Sequence, residues 1–352
     1  MIQKWIAEIT NVKNISLQLG LEMLLVALAV FLCTLLITKL VLPVLRAKKL
    51  GQNVSGYVPE HAKKQGTPTM GGICFIMASL AVLLVWFAIE KIFISESGNE
   101  SGHLMGMAIV VLFGVANAMI GFIDDYAKLV KKQNEGLTDN QKMACQIVAA
   151  VAFIVTMALT VGITTSFKIP FTSISLNLGY FAYPLYVLVI VGFVNSTNIT
   201  DGIDGLASSV GLSVAMGIVL LSSIFSWRET GVISASLIGA LLGFLVFNHY
   251  PAKIFMGDTG SLYIGGIIMG CAVCEGELIV FVIMGIVFVL EMLSSLWQRV
   301  YFKLTHGKRF FKMAPIHHHF QKLGWSEVKI VTVFFVVSLI FVAIGVLGKI
   351  IY

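Results

Sequence analysis

The sequence predicts an all-α integral membrane protein with ten transmembrane helices. Of its 352 residues, 58% are hydrophobic and 12% are charged, whereas a soluble domain carries about 25% charged residues. The mean hydropathy is +0.93, and the apolar residues form runs close to the 20 or so residues that cross a bilayer. These observations exclude a soluble globular enzyme and a disordered chain. We expect residues 1–352 to form a single polytopic membrane domain.

Ten apolar runs are assigned to helices in chain order. The eighth run, Ser261 to Cys274, has only 14 residues and could by its length form a re-entrant hairpin. The segment Met1 to Gln18 lacks the basic cluster and short apolar core of a cleaved signal peptide. The ten runs lie near 20–42, 70–90, 104–123, 143–162, 180–197, 206–226, 231–247, 261–274, 278–298 and 328–348.

The basic residues decide how the eighth run is interpreted. If all ten runs cross, five loops on one side contain 16 Lys and Arg, and the opposite side contains six. Because Lys and Arg are enriched in cytoplasmic loops, we expect this side to be cytoplasmic and both termini to be extracytoplasmic. Without the eighth crossing, the most basic loop, 299–327, would move to the other face. The five loops are 43–69, 124–142, 198–204, 248–260 and 299–327.

All six aspartates lie on the predicted cytoplasmic side, several of them at helix ends. A single such residue is usually a helix cap, but several carboxylates near apolar helix ends repel one another unless a cation or hydrogen-bond donors compensate. Mg²⁺ typically combines one or two carboxylates with substrate phosphates and water. The sequence therefore predicts a magnesium site and a phosphate ester ligand, with Asp124, Asp204 and Asp258 brought together.

The pair Asp124 and Asp125 follows an apolar run. Adjacent residues of a helix point about 100° apart, so we expect one carboxylate to face the reaction and the other to support it. Asp258 stands just before the short eighth helix, whose N-terminal N–H groups and dipole attract anions. A simple N-cap by Asp258 or Thr259 is the alternative.

The segment from Asn195 to Leu206 is more specific. Asp201 and Asp204 are three residues apart and would share a face on a helical turn, and Gly202 lets the backbone come close to a ligand. Unpaired carboxylates and amides at a membrane surface are costly. We interpret this segment as a polar substrate site.

The last predicted cytoplasmic loop contains three successive histidines, His317, His318 and His319. Zinc is disfavoured because adjacent histidines do not easily point at one tetrahedral centre and no cysteine is near; contact with phosphate fits better. Basic residues of the same loop add positive charge, although anionic lipid headgroups are an alternative ligand for them. Glu291, inside the ninth run, is interpreted as structural because it is close to Arg299 and the helix end.

These motifs resemble those of the phospho-N-acetylmuramoyl-pentapeptide transferases, in the superfamily of polyprenyl-phosphate N-acetylhexosamine-1-phosphate transferases. The similarity covers nearly the whole chain, and the order of the motifs matches. The motifs are Gly66-Thr-Pro-Thr-Met-Gly-Gly72, Gly121-Phe-Ile-Asp-Asp-Tyr126, Asn198-Ile-Thr-Asp-Gly-Ile-Asp-Gly-Leu206, Phe255-Met-Gly-Asp-Thr-Gly-Ser261 and Met313-Ala-Pro-Ile-His-His-His319.

The resemblance implies a usually dimeric enzyme of the bacterial plasma membrane. It would transfer phospho-N-acetylmuramoyl-pentapeptide from its UDP carrier to undecaprenyl phosphate with Mg²⁺, giving lipid I and UMP for peptidoglycan synthesis; no nucleic-acid partner is expected. By the same resemblance, Asp258 is the metal ligand, Asp124 is the base or substrate-orienting acid with Asp125 beside it, and Lys142 and His317 act in catalysis. The positions matched to substrate binding are Lys64, Asn198, Asp201, Gly202, Ile203, Asp204, Asn248, Phe255, His318 and His319.

Two alternatives remain open. An enzyme of the same superfamily could transfer N-acetylglucosamine-1-phosphate, although the segment 314–319 argues against it by resemblance. A secondary transporter would need acidic residues near the bilayer midplane at helix breaks, whereas these acids cluster toward one face.

Overall fold

The computed structural model of this protein describes residues 2–47, 66–93, 101–131 and 136–351. These residues form twelve α-helices and one antiparallel β-hairpin. The helices are α1 (Ile2–Ala47), α2 (Gly72–Phe93), α3 (Ser101–Lys131), α4 (Asp139–Thr160), α5 (Ala182–Thr200), α6 (Leu206–Phe225), α7 (Arg228–Asn248), α8 (Gly257–Cys274), α9 (Leu278–Met284), α10 (Ile286–Leu304), α11 (Ile316–Lys322) and α12 (Glu327–Ile350), and the strands are β1 (Ser166–Lys168) and β2 (Ser175–Asn177).

The helices account for the ten predicted spans. Within the described ranges, nine helices are long and apolar enough to cross a membrane, and α9 with α10 forms a tenth candidate span. The fold class of an all-helical integral membrane protein is therefore confirmed. The ninth predicted run, 278–298, is not one straight helix, because α9 and α10 meet at 78° around Gly285. Hydrophobicity alone does not report this bend, since the apolar run continues on both sides of Gly285.

Helix α8 lies at the centre of the bundle. Every residue from Thr259 to Val273 is buried, and the helix packs against α3 and α5. A Cβ on Gly121 of α3 would lie 2.3 Å from the carbonyl oxygen of Asp258, so only glycine allows this close approach. Because protein rather than lipid surrounds α8, its length and hydrophobicity are less restricted, which accommodates the short eighth run.

Two local features differ from the sequence analysis. The hairpin of β1 and β2, in which Phe167 is paired with Leu176, follows α4, where the sequence analysis placed no strand. Helix α8 begins at Gly257, so Asp258 lies in its first turn and not before the helix, as the sequence analysis expected. The predicted apolar run 261–274 does not include this first turn, because the residues of the turn are not apolar.

Candidate active site

Three carboxylates meet where α3 ends and α8 begins. Asp124 and Asp125 are buried and Asp258 is partly buried. Each offers one oxygen, and these oxygens lie within 4.8 Å of one another. Such a group of hard oxygen donors suits a divalent cation such as Mg²⁺. We call Asp124, Asp125 and Asp258 the carboxylate cluster.

The two neighbouring aspartates of α3 have different partners. Asp125 Oδ1 accepts a hydrogen bond from the backbone N–H of Asp258 (3.1 Å), and Oδ2 accepts from the Thr259 backbone N–H (3.0 Å) and hydroxyl (2.7 Å). It therefore satisfies N–H groups that every helix start leaves unpaired, and it fixes the first turn of α8. Asp124 instead accepts from the backbone N–H of Leu137 (2.7 Å) and pairs with Lys128 (2.6 Å).

Two lysines and one amide complete the site around Asp258. The Nζ of Lys142, on α4, lies 2.6 Å from Asp258 Oδ2 and 2.9 Å from Asn198 Oδ1. Asn198, on α5, donates to Asp258 Oδ1 (2.9 Å), and Lys128 Nζ lies 3.3 Å from Asp258 Oδ2. Four helices, α3, α4, α5 and α8, thus contribute to one site, although Asp124 and Asp258 are far apart in the chain.

Asp201 adds a fourth carboxylate next to the cluster. It immediately follows α5 and lies close to the backbone of Gly257. Burial, together with the charges of Asp258, Asp125 and Asp204, raises the pKa of Asp201 well above its usual value. When all are ionised, four carboxylates against two lysines leave an excess of negative charge, which a bound cation would offset.

Asp204 does not belong to the carboxylate cluster, contrary to the expectation from its spacing. Its Oδ2 accepts from the backbone N–H of Ala252 (2.9 Å), and its own N–H donates to Glu327 (3.2 Å). The shared-face argument fails because α5 ends at Thr200, so Asp201 and Asp204 are not on one helical turn. Asp204 instead ties the loop after α7 and the start of α12 to this segment.

Other positions matched by resemblance surround this loop. Asn248 is buried; it accepts from the Ser208 hydroxyl (3.2 Å) and donates to the carbonyl of Ile254 (3.0 Å). Ile203 is also buried, and Phe255 is partly buried. The amide of Asn248 therefore fixes the loop between α7 and α8. Lys64 lies outside the described residues.

The three histidines point to three different partners. His317 is completely buried, and its Nδ1 lies 2.9 Å from Glu291 Oε2; its Nε2 has no hydrogen-bond partner and faces Gly202, where a Cβ would lie 2.3 Å away. His318 Nδ1 contacts Gln321 (2.6 Å). His319 Nδ1 accepts from the backbone N–H of Lys312 (3.1 Å).

Glu291 contacts one of the predicted site residues. It is 0% exposed on α10, and its Oε2 lies 2.9 Å from His317 Nδ1. The available signal was an acid inside an apolar run, which is a functional candidate by default.

The fold and the site define a polytopic membrane protein of the kind that acts on phosphate esters. Residues 107–275 match Glycosyl transferase family 4, and residues 64–76 match signature 1 of phospho-N-acetylmuramoyl-pentapeptide transferases. Proteins named phospho-N-acetylmuramoyl-pentapeptide-transferase are similar over almost their whole length. The proteins from Halalkalibacterium halodurans and Shouchella clausii are 39% and 41% identical, each alignment covering 92% of this chain and 96% of theirs. The Staphylococcus carnosus protein is 40% identical, over 91% of this chain and 97% of its own.

The chain therefore belongs to the phospho-N-acetylmuramoyl-pentapeptide transferase family, and the family prediction from its motifs is confirmed. Its apolar spans fit a multi-pass protein of the bacterial inner membrane.

Proposed function

We propose that this protein transfers phospho-N-acetylmuramoyl-pentapeptide from its UDP carrier to undecaprenyl phosphate, releasing UMP and forming lipid I. The observation that carries the proposal is the carboxylate cluster with Lys128 and Lys142 at one end of a helix bundle whose family is known. A lipid phosphate can reach this end from the bilayer, and a soluble nucleotide can reach it from the adjacent water. The excess of Lys and Arg in the loops at this end favours a cytoplasmic position for it. The termini are extracytoplasmic, and the enzyme is a homodimer.

The chemistry follows from the charges of the two substrates. An oxygen of the lipid phosphate attacks the phosphorus that bears the sugar; the bond from this phosphorus to the bridging oxygen breaks, and UMP leaves with that oxygen. Both reactants are anions, so positive groups must offset their repulsion and the charge on the leaving phosphate. Lys128 and Lys142 supply ammonium groups at the site, and the free Nε2 of His317 supplies a further polar contact.

Asp124 orients groups at the reaction centre and need not act as a base. A phosphate monoester has a second pKa near 6, so the lipid phosphate is already largely ionised at pH 7. Both oxygens of Asp124 accept hydrogen bonds, one from Leu137 and one from Lys128. This arrangement fits a carboxylate that holds Lys128 in place.

The donor set fits a magnesium ion. The three carboxylates of the cluster offer hard oxygen atoms within 4.8 Å of one another, and Asp258 would be the principal ligand, with Asp125 holding the backbone of Asp258 in position. When bound, Mg²⁺ neutralises charge on the diphosphate.

The test follows UMP release by the purified protein. We expect release only when UDP-N-acetylmuramoyl-pentapeptide, undecaprenyl phosphate and Mg²⁺ are all present. Formation of lipid-linked N-acetylglucosamine from its UDP-sugar, with no reaction of the muramoyl donor, would instead identify the related transferase. In sealed vesicles, passage of substrate across the membrane without UMP release would identify a transporter.

A further inference from the structure

A basic cavity lies beside the carboxylate cluster. It has a volume of about 820 Å³ and is formed by α10, α11, the loop between them and the end of α5, which places it within the usual size range of ligand pockets, about 300–1,000 Å³. Among the residues that the structure describes, five cationic side chains and no acidic one line it. These cations are Arg299, Lys303, Arg309, Lys312 and Lys322.

Four of the five cations of this cavity lack acidic partners among the described residues. All four are exposed and form no ion pair with any carboxylate of those ranges; they are Arg299, Lys303, Arg309 and Lys312. Like charges gathered around one cavity repel one another. An anion offsets this repulsion, and arginine in particular binds carboxylates and phosphates through two parallel hydrogen bonds.

A second, independent feature points to a ligand at the inner end of the cavity. His317 lines it, is 0% exposed, and has an Nε2 without a partner, although buried polar atoms in proteins are normally hydrogen-bonded. Ile199 and Gly202 also line the cavity and flank Asp201. The cavity therefore borders the segment that carries Asp201, next to the carboxylate cluster.

We propose that this cavity binds the peptide of the donor substrate through the carboxylates of that peptide. The inference rests on the proposed function and deepens it. The diphosphate of the donor belongs at the carboxylate cluster, whereas the peptide extends from the sugar and carries further negative charge, at least at its C-terminus. The cavity offers positive charge, opposite in sign to these carboxylates, next to the cluster. A lipid headgroup fits less well, because the cavity reaches inward to a side chain with no exposure.

The experiment measures UMP release with two donors. One is UDP-N-acetylmuramoyl-pentapeptide, and the other is the same molecule with its peptide carboxylates converted to carboxamides. The variants are Lys312→Gln and the triple variant Arg299→Gln/Arg309→Gln/Lys312→Gln. The matched control is Lys308→Gln, which removes the same charge from an exposed residue of the same loop that does not line the cavity.

We expect Lys312→Gln to raise KM for the pentapeptide donor about threefold and the triple variant to raise it about tenfold, since exposed ion pairs are individually weak. The kcat value, the KM for the amidated donor, the KM for undecaprenyl phosphate and inhibition by UMP should not change, and Lys308→Gln should behave like the unsubstituted protein. Thermal unfolding of each variant checks its fold.

Three results would overturn the inference. An equal rise in KM for both donors, or weaker inhibition by UMP, would assign the cavity to the nucleotide. A rise in KM for undecaprenyl phosphate, or a lost dependence on anionic lipid in the vesicles, would assign it to lipid headgroups. If the unsubstituted protein released UMP from the pentapeptide donor and the variants matched it, only this inference would fail; if it released none, the proposed function itself would fail.

Discussion

The two ends of the helix bundle both hold partly buried charges, but they stabilise them differently. At the end opposite the carboxylate cluster, the guanidinium of Arg228 on α7 forms two hydrogen bonds to Glu22 of α1, at 2.9 and 2.8 Å, and also binds Glu90 of α2. Trp86 donates to Glu22 (2.6 Å). There the cation that separates the carboxylates is a rigid part of the protein, and it fixes three helices to one another.

The carboxylate cluster is offset by lysines instead. An ammonium on a flexible stem is a mobile point charge, whereas the planar guanidinium is held by its geometry. We expect Lys128 and Lys142 to move from carboxylates to phosphates when substrate arrives. Rigid arginine pairing therefore holds the helices together, whereas lysine pairing leaves positive charge available for a ligand.

The largest effect is expected when the carboxylate cluster is broken at Asp258. Asp258→Asn should lower kcat at least about 1,000-fold, equal to about 4 kcal/mol, and weaken the dependence on magnesium, because it removes one charge from the metal ligand. UMP release over a magnesium titration measures both. Asp139→Asn, at an exposed position of α4, is the matched control and should retain activity. Full activity of Asp258→Asn at low magnesium would refute the ligand role.

Removing an ion pair of Arg228, at the end opposite the carboxylate cluster, should lower stability and leave catalysis unchanged. Glu90 is buried, so Glu90→Gln leaves part of the charge of Arg228 without a partner; removal of one member of a buried ion pair costs about 3 kcal/mol. We expect Tm in detergent to fall by about 5 °C with kcat unchanged. Lys91→Gln, at an exposed neighbouring position, is the control. A loss of kcat at unchanged Tm would contradict the division between the two ends.

Glu291 extends the comparison, because it is an acid at the active end whose partner is a histidine. Glu291→Gln keeps a hydrogen-bond acceptor for His317 but removes the charge that orients and polarises the imidazole. We expect kcat to fall about 10- to 100-fold, since positioned acid–base groups contribute at least that much, with little change in KM or Tm. Glu291→Asp should recover part of the lost rate. A fall in Tm that accounts for the lost rate would reduce Glu291 to a structural role.

The sequence predicted the parts of this protein that depend on local composition. Hydropathy and the positions of Lys and Arg gave the helical spans, including the short eighth one, because a bilayer imposes length and polarity on each segment. The bend at Gly285 leaves no mark in hydropathy. The expected position of Asp204 in the cluster was wrong, because Asp201 and Asp204 follow the end of α5 at Thr200 and do not share a helical turn.

The contacts within the site were harder to predict, because the tertiary fold decides them. Glu291 and His317 are 26 residues apart, and Asp125 and Thr259 are 134 apart, so no helical periodicity relates the members of either pair. Chemistry nevertheless indicated which residue types would gather. Carboxylates at several apolar helix ends require a common explanation, and the cluster of Asp124, Asp125 and Asp258 provides it for three of the six aspartates.

The smallest expected effect concerns Glu275, at the end that contains Arg228. The negative charge of Glu275 is only partly offset by the groups around it. Glu275 follows α8, is partly buried and accepts a hydrogen bond from Thr230. Burial, with a smaller contribution from nearby Glu229 and Glu277, raises its pKa from 4.5 to about 7. The folded state therefore holds this proton more tightly than the unfolded chain does, and stability falls as the pH rises from about 4.5 to 7.

Glu275→Gln removes this penalty. Near pH 4.5 the substitution should leave Tm unchanged, and at pH 8 it should stabilise the protein by about 1 kcal/mol, or about 2 °C in Tm, a value reduced from the full shift because solvent screens part of the charge. Thermal unfolding in detergent at pH 4.5 and pH 8 measures the difference, with kcat as the control that should not change. An equal gain at both pH values would show that packing and not ionisation limits stability here. A loss of stability at pH 8 would show that neighbouring groups compensate the charge of Glu275 as fully as Arg228 compensates that of Glu90.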